Sequence, residues 1–226
     1  MDAKLIKERA AALGADLCRI APVERFGDAP EGFRPTDIVK GCRSVIVLAA
    51  RFPASTISGS SQAAYTFVRH RMIDKLDSIT FRLSSELDFE GVRAIPIPSS
   101  DPYEYWDEER RHGRGILSLK HAAVLAGLGK MGKNTLLIND RLGNMLWLGA
   151  VLVDIALEPD PPADYEACIP GCTVCIDSCP AEALDGVTID QSLCRSRMGK
   201  ETEGGGWVIA CNLCRVICPR CKGITK

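Results

Sequence analysis

Six cysteines of this 226-residue chain repeat one pattern, Cys172-x-x-Cys175-x-x-x-Cys179-Pro180 and then Cys211-x-x-Cys214-x-x-x-Cys218-Pro219. Thiolates spaced by two and three residues wrap one metal centre. The cysteine before the proline is displaced far enough to reach a second one, as in two-cluster ferredoxins. Paired Cys-x-x-Cys knuckles also build tetrahedral zinc sites, but zinc has no need of the repeated Cys-Pro ending, and we favour two four-iron clusters. Eight ligands fill them: Cys168, Cys172, Cys175 and Cys218 for one, Cys179, Cys194, Cys211 and Cys214 for the other. The usual first spacing is two residues. Three residues separate Cys168 from Cys172, which asks Gly171 to let the intervening loop bulge. Cys221 is either a spare ligand or a free surface thiol, while Cys18 and Cys42 read as small apolar fillers at strand ends.

Nine of the eleven cysteines lie between 168 and 221, behind the proline- and acid-rich stretch "LEPDPPADYEA". That stretch suits an extended connector and divides the chain into an α/β unit over 1–157 and a cysteine-dense unit over 158–226. The second unit is too small for a good apolar core and is expected to depend on its metal to fold. The start "MDAKLIKERAAALGADLC" has no secretory layout, and no apolar run reaches the roughly 18 residues of a membrane span. A cytoplasmic protein with reduced thiols and no membrane partner is the expectation. The net charge of −1 supplies no overall basic field for a polyanion.

The first unit alternates helix and strand. Ile6, Ala10 and Leu13 share one helical face ending at Gly14, and the short strand "DLCRIA" follows. "SVIVLAARF" (44–52) reads as a central strand. Val68, Met72, Leu76, Ile79, Leu83 and Leu87 mark a helix over 64–89 that feeds "VRAIPIP". "ILSLKHAAVLAG" predicts a helix, "NTLLIN" a strand, and "MLWLGAVLVDIAL" one or two strands, giving a layered α/β architecture.

"GLGKMGKNT" (127–135) imitates two nucleotide motifs without meeting the needs of either. The dinucleotide fingerprint must follow a strand and open a helix, whereas here the order is reversed. The phosphate loop needs Ser or Thr after its lysine, and Asn134 stands there. Gly127, Gly129 and Gly132 with Lys130 and Lys133 therefore read either as a loop whose amides approach a ligand or as a tight helix-to-strand turn.

"HAAVLAGLGKMGKNTLLIN", "GNMLWLGAVLVDIAL" and "GGGWVIACNLCRVICP" together resemble epoxyqueuosine reductases and, more distantly, reductive dehalogenases. The resemblance implies a nitroreductase-like α/β domain carrying cobalamin, followed by a ferredoxin-like domain with two 4Fe–4S clusters. It implies reduction of a small-molecule or corrinoid-protein substrate with electrons from a ferredoxin or flavodoxin. It also places Gly127, Gly129, Lys130, Gly132, Lys133 and Asn134 beside the corrinoid. The chain departs from the family in three ways. Gly113 stands where epoxyqueuosine reductases carry a catalytic acid, the sequence stops at Lys226 without their helical-repeat region, and no twin-arginine signal of the dehalogenase kind is present. With the neutral charge, the second departure argues against tRNA as a partner. For the missing proton donor, "DPYEYWDEERRHGRG" and the helix after it offer Asp101, Tyr103, Tyr105, Asp107, Glu108, His112, Lys120 and His121. Tyr103 and His121 are the first choices, and His70 reads as a surface residue. An electron carrier for a separate corrinoid protein and an FMN-dependent reductase are the competing readings.

Overall fold

The computed structural model describes residues 1–109 and 111–224; positions 225 and 226, the end of the expected second unit, lie outside them. Helix α1 (Ala3–Ala12) starts at Asp2, whose carboxylate accepts the Leu5 amide at 2.8 Å, a cap worth about 1 kcal/mol. Gly14, at φ +105, ends it in the left-handed region. Strand β1 (Leu17–Pro22), the short α2 (Pro35–Ile38) and strand β2 (Ser44–Arg51) follow. Helix α3 (Gln62–Phe89) begins two residues earlier than its apolar stripe predicts, because the Ser61 hydroxyl caps the Ala64 amide at 3.2 Å. The chain continues through β3 (Ala94–Ile97), the hairpin β4 (Tyr105–Asp107) and β5 (His112–Arg114), α4 (Leu119–Leu125), the hairpin β6 (Lys130–Met131) and β7 (Leu137–Ile138), and β8 (Leu146–Val153).

Four strands form one sheet in the order β1–β2–β8–β3, and every neighbouring pair is antiparallel. The central strands β2 and β8 are covered on both faces, which is why each reads as an unbroken apolar run. Ile46, Leu48 and Ala50 point to the layer of α1 and α3, and Val45, Val47 and Ala49 to the layer of α4. The mixed α/β layering is as expected, but helix–strand alternation carries no information about strand direction. "NTLLIN" contributes only a two-residue strand. Thr135, at φ +56, turns the chain beforehand, and the Asn139 side chain accepts the Arg141 and Leu142 amides just after it. "MLWLGAVLVDIAL" makes one strand.

The cysteine-rich part holds α5 (Val174–Asp177), α6 (Gln191–Met198), the hairpin β9 (Gly199–Glu201) and β10 (Trp207–Ile209), and α7 (Leu213–Val216). It shares the core of the first part instead of building its own. Ile209 and Cys221 are buried in the cluster beneath α3, and the Ile209 amide donates to the Thr66 hydroxyl at 2.8 Å. Cys221 is therefore an interior thiol, which corrects its reading as a free surface one. The connector is fixed in place. Buried Asp160 accepts from Lys7 Nζ at 2.7 Å, Arg19 at 2.8 Å and the Ile20 amide at 2.9 Å, and the Tyr165 hydroxyl donates to the Ile138 carbonyl at 2.8 Å. No helix among the described residues is long and apolar enough to cross a membrane.

Candidate redox site

The two copies of the cysteine motif fold alike. Each places its Cys-x-x-Cys around the start of a one-turn helix, α5 or α7, with the Cys-Pro just past its end, and the two helices pack on each other. Gly171 sits at φ +73, and the Cys172 amide closes a turn onto the Ile169 carbonyl at 3.0 Å, accommodating the extra residue after Cys168.

The thiols fall into two neighbourhoods. Cys168, Cys172, Cys175 and Cys218 line one small cavity together with Lys133 and Asn134. Burial pushes the Cys218 thiol up to about 11, with the charges of Cys168 and Cys175 adding to it. Cys179, Cys194, Cys211 and Cys214 form the other neighbourhood. Cys214 is pushed up to about 11, first by burial and then by Cys194, with Cys211 and Cys179 contributing, and Cys194 is raised by burial and by Cys211 and Cys179. Thiols held so close and protonated release protons when a metal binds. Among the described residues no three His, Cys, Asp or Glu side chains are disposed around a single metal ion. Two sulfurs already accept backbone amides at 3.4 Å, Cys168 from Lys133 and Cys179 from Ala183. Cys18 and Cys42 stand apart from both groups. Burial drives the first thiol to about 12 and the second to about 11, as befits apolar fillers.

The glycine loop runs between the two neighbourhoods. Lys133 donates from Nζ to the Cys172 carbonyl at 2.9 Å, and Asn134 donates from Nδ2 to the Cys214 carbonyl at 2.9 Å. Lys130 pairs with Ile138 in the small hairpin. Two of the glycines are required by the chain's own packing. A Cβ on Gly127 would lie 2.0 Å from the Pro161 carbonyl oxygen, and one on Gly129 would lie 2.5 Å from that of Ile138. Gly132 faces Asn134 and Ile138. Lys120, on α4, donates to the Thr135 carbonyl at 2.7 Å, close enough to Cys214 and Cys194 to feel their charge, and burial lowers its pKa.

On the other side of α4 a cavity of about 740 Å³ is lined mainly by apolar groups, including Phe26, Phe33 and Leu117, together with His121 and the backbone of Gly113. That volume lies within the range of small-molecule pockets. Ser118 Oγ lies 2.7 Å from His121 Nδ1, and partial burial together with the Lys120 charge holds the imidazole below its ordinary pKa. Tyr103 is absent from this cavity; its ring stacks on Trp106 with centroids 6.0 Å apart. Both rings occupy the space that a side chain at position 113 would need, since a Cβ there would lie 3.1 Å from Trp106 and 3.3 Å from Tyr103. Tyr103 and His121 are thus not brought to one point. Of the remaining candidates, Tyr105 and His112 meet edge to face, and Glu108 accepts from the Trp106 indole. The hairpin is clasped onto α6 by Gln191, which exchanges two hydrogen bonds of 3.2 Å with Gly113, and by Arg195, 4.8 Å over Trp106. Sequence reading missed Gln191 and Arg195, because each matters through a partner far along the chain.

This arrangement defines a mixed α/β protein with two four-thiol sites docked on its core. No family model matches the chain. It is 37% identical over 204 residues to the epoxyqueuosine reductase of Cyclobacterium marinum, covering 82% of this chain and 60% of the relative. It is 27% identical over 256 residues to that of Leadbetterella byssophila, covering 96% and 78%. Three solved structures share the fold. An epoxyqueuosine reductase with an epoxyqueuosine-modified tRNA stem loop has a TM-score of 0.63 at 20% identity, over 99% of this chain and 66% of that one. A catabolic reductive dehalogenase with 3-bromo-4-hydroxybenzoic acid has 0.71 at 20%, over 99% and 32%. A reductive dehalogenase linked to B12-dependent dehalogenation has 0.58 at 21%, over 80% and 25%. The chain is epoxyqueuosine reductase-like, similar in sequence to those enzymes and in fold to them and to reductive dehalogenases, as its motifs led us to expect.

The tRNA stem loop on a relative overturns the argument against tRNA as a partner. That argument used net charge, which is a sum over the whole chain. Arg69, Arg114 and Arg195 still gather around the β4–β5 hairpin, Arg114 over Tyr105 at 4.7 Å and Arg195 over Trp106 at 4.8 Å, while Arg69 lies near Tyr103.

Proposed function

We propose that the chain is an iron–sulfur oxidoreductase of the epoxyqueuosine reductase and dehalogenase type. A nitroreductase-like unit over 1–157 would be followed by a ferredoxin-like unit over 158–226. Cys168, Cys172, Cys175 and Cys218 would hold one 4Fe–4S cluster, and Cys179, Cys194, Cys211 and Cys214 the other. The observation that carries this reading is the separation of eight thiols into two groups of four, each with a backbone amide already directed at a sulfur. When bound, such clusters supply one-electron transfer, and a corrinoid or flavin supplies the reactive centre.

The chain's own groups have three roles in this reading. The amides of Lys133 and Ala183 stabilise charge on Cys168 and Cys179 sulfur, and the Lys133 and Asn134 side chains fix the loop against the cysteine backbone. The β4–β5 hairpin is held against α6 by Gln191 and Arg195, which fixes its position beside the helix that carries Cys194. His121, whose proton affinity is lowered by partial burial and the Lys120 charge, would accept a proton and pass it on at the rim of the α4 cavity, where a cofactor portion or substrate would sit. Tyr103 remains a donor only if the Trp106 stack opens. Because position 113 carries no acid and a side chain there would have to displace the Trp106 and Tyr103 rings, an electron carrier serving a separate corrinoid protein is the second reading.

Protein purified without oxygen tests this. About eight irons per chain, brown absorption and an EPR signal on reduction are expected; colourless protein loaded with zinc would refute the reading. Iron-replete protein is then given hydroxocobalamin, FMN and an epoxyqueuosine-containing tRNA stem loop in separate arms. Retention of the corrinoid supports the enzyme reading, and retention of none of the three supports the carrier.

A further inference from the structure

Arg215 is a buried cation with no acidic partner among the described residues. The residue is 8% exposed, and no carboxylate among the described residues forms an ion pair with it. Its guanidinium donates to the Asn144 carbonyl, and Asn144 Nδ2 donates back to the Arg215 carbonyl at 3.1 Å. Beyond that it rests on aromatic faces, 4.5 Å from the centroid of Trp147 and 6.0 Å from that of Phe52, two rings that stack on each other at 5.1 Å. A desolvated cation–π contact returns only part of what burying an ion costs. One carbonyl and two rings leave the charge undercompensated, so a negative group belongs beside it.

Among the described residues no acid provides that group, whereas the neighbouring cysteines would do so as thiolates once a cluster is bound. Arg215 directly follows Cys214, and its charge acts on that thiol and on Cys221. Lys120 approaches the same neighbourhood from α4, held on the Thr135 carbonyl. We propose that Arg215 is a fixed counter-charge for the cluster held by Cys179, Cys194, Cys211 and Cys214, favouring its reduced form, with Trp147 and Phe52 supporting the guanidinium. The inference rests on the two-cluster reading above. A four-iron cluster with four thiolates is anionic and gains one further negative charge when it accepts one electron from an external reductant, with no bond or proton exchanged. A nearby cation therefore raises its potential.

Arg215→Met and Arg215→Lys proteins of matched iron content, titrated with dithionite under EPR, test this. For Arg215→Met we expect one of the two midpoints to move negative, with the one-electron reduction constant falling about tenfold, about 59 mV. The other midpoint should move less, and Arg215→Lys should stay near wild type. Unchanged midpoints in iron-replete Arg215→Met would overturn the inference. Should that variant not retain iron, Arg215→Gln takes its place: one midpoint falling about tenfold while Arg215→Lys stays near wild type supports the counter-charge, and unchanged midpoints overturn it. Wild-type protein without iron would remove the proposed function itself, whereas iron-replete wild type with an indifferent Arg215→Met removes only this inference.

Discussion

Asp160 and Arg19 meet at 2.8 Å across 141 positions of sequence, and Lys7 closes on the same carboxylate oxygen at 2.7 Å. Burial opposes the Asp160 charge, but the hydrogen bonds from Lys7, Arg19 and the Ile20 amide overcome it and hold the carboxyl below the ordinary range. A depressed folded pKa contributes stability that is fully present above the unfolded value of about 3.9 and is lost as pH falls through the folded one. Asp160→Asn should therefore cost about 1–2 kcal/mol at pH 7, at the low end for charged hydrogen bonds because both cations are partly exposed. The gap from wild type should close below about pH 4, as read by urea denaturation at several pH values.

Replacing glycines by alanine should separate packing from backbone strain. Gly127 and Gly171 share the left-handed region, at φ +76 and +73, but only Gly127 has a carbonyl where a Cβ would go. Gly171→Ala should cost about 1 kcal/mol, the strain alone. Gly127→Ala should cost clearly more, because the connector must shift away from α4, and thermal melts of the two variants would rank them.

The acid carried at this place by epoxyqueuosine reductases should not be restorable by a single change. Gly113 pairs across the hairpin with Trp106, whose ring covers it at the distance of a tight contact. Gly113→Asp should push Trp106 outward and shift its fluorescence to longer wavelength. An emission spectrum identical to wild type would mean that the hairpin has room to spare.

Serine substitutions should divide the metal content by neighbourhood. Cys168→Ser and Cys175→Ser should weaken one cluster, and Cys194→Ser and Cys211→Ser the other, each leaving about half of the iron. Cys221→Ala should keep all of it, since that thiol packs in the core beneath α3. Iron analysis beside EPR of each variant distinguishes these outcomes.

The approach of Cys172 to Cys175, and of Cys211 to Cys214, is legible because the spacing is local: each pair brackets the start of a one-turn helix. The central strands were readable because burial on both faces leaves an unbroken apolar run in β2 and β8. What escaped reading depends on contacts between distant segments. "GLGKMG" looks like a ligand loop, yet Pro161, more than thirty positions on, accounts for Gly127. Arg215 sits in the second cysteine motif without standing out, until Trp147 and Phe52 from the sheet side close on it. The direction of the strands and the local basic grouping near the hairpin are spatial as well, and a net charge summed over the chain carries neither.

The connector pinned by Asp160 and Tyr165 has one more consequence. A tether without slack keeps the sulfur-rich module at a constant separation from the sheet, so any tunnelling distance between prosthetic groups would be set once at folding and not sampled by swinging. A protease offered residues 158–166 should find no loose loop to cut.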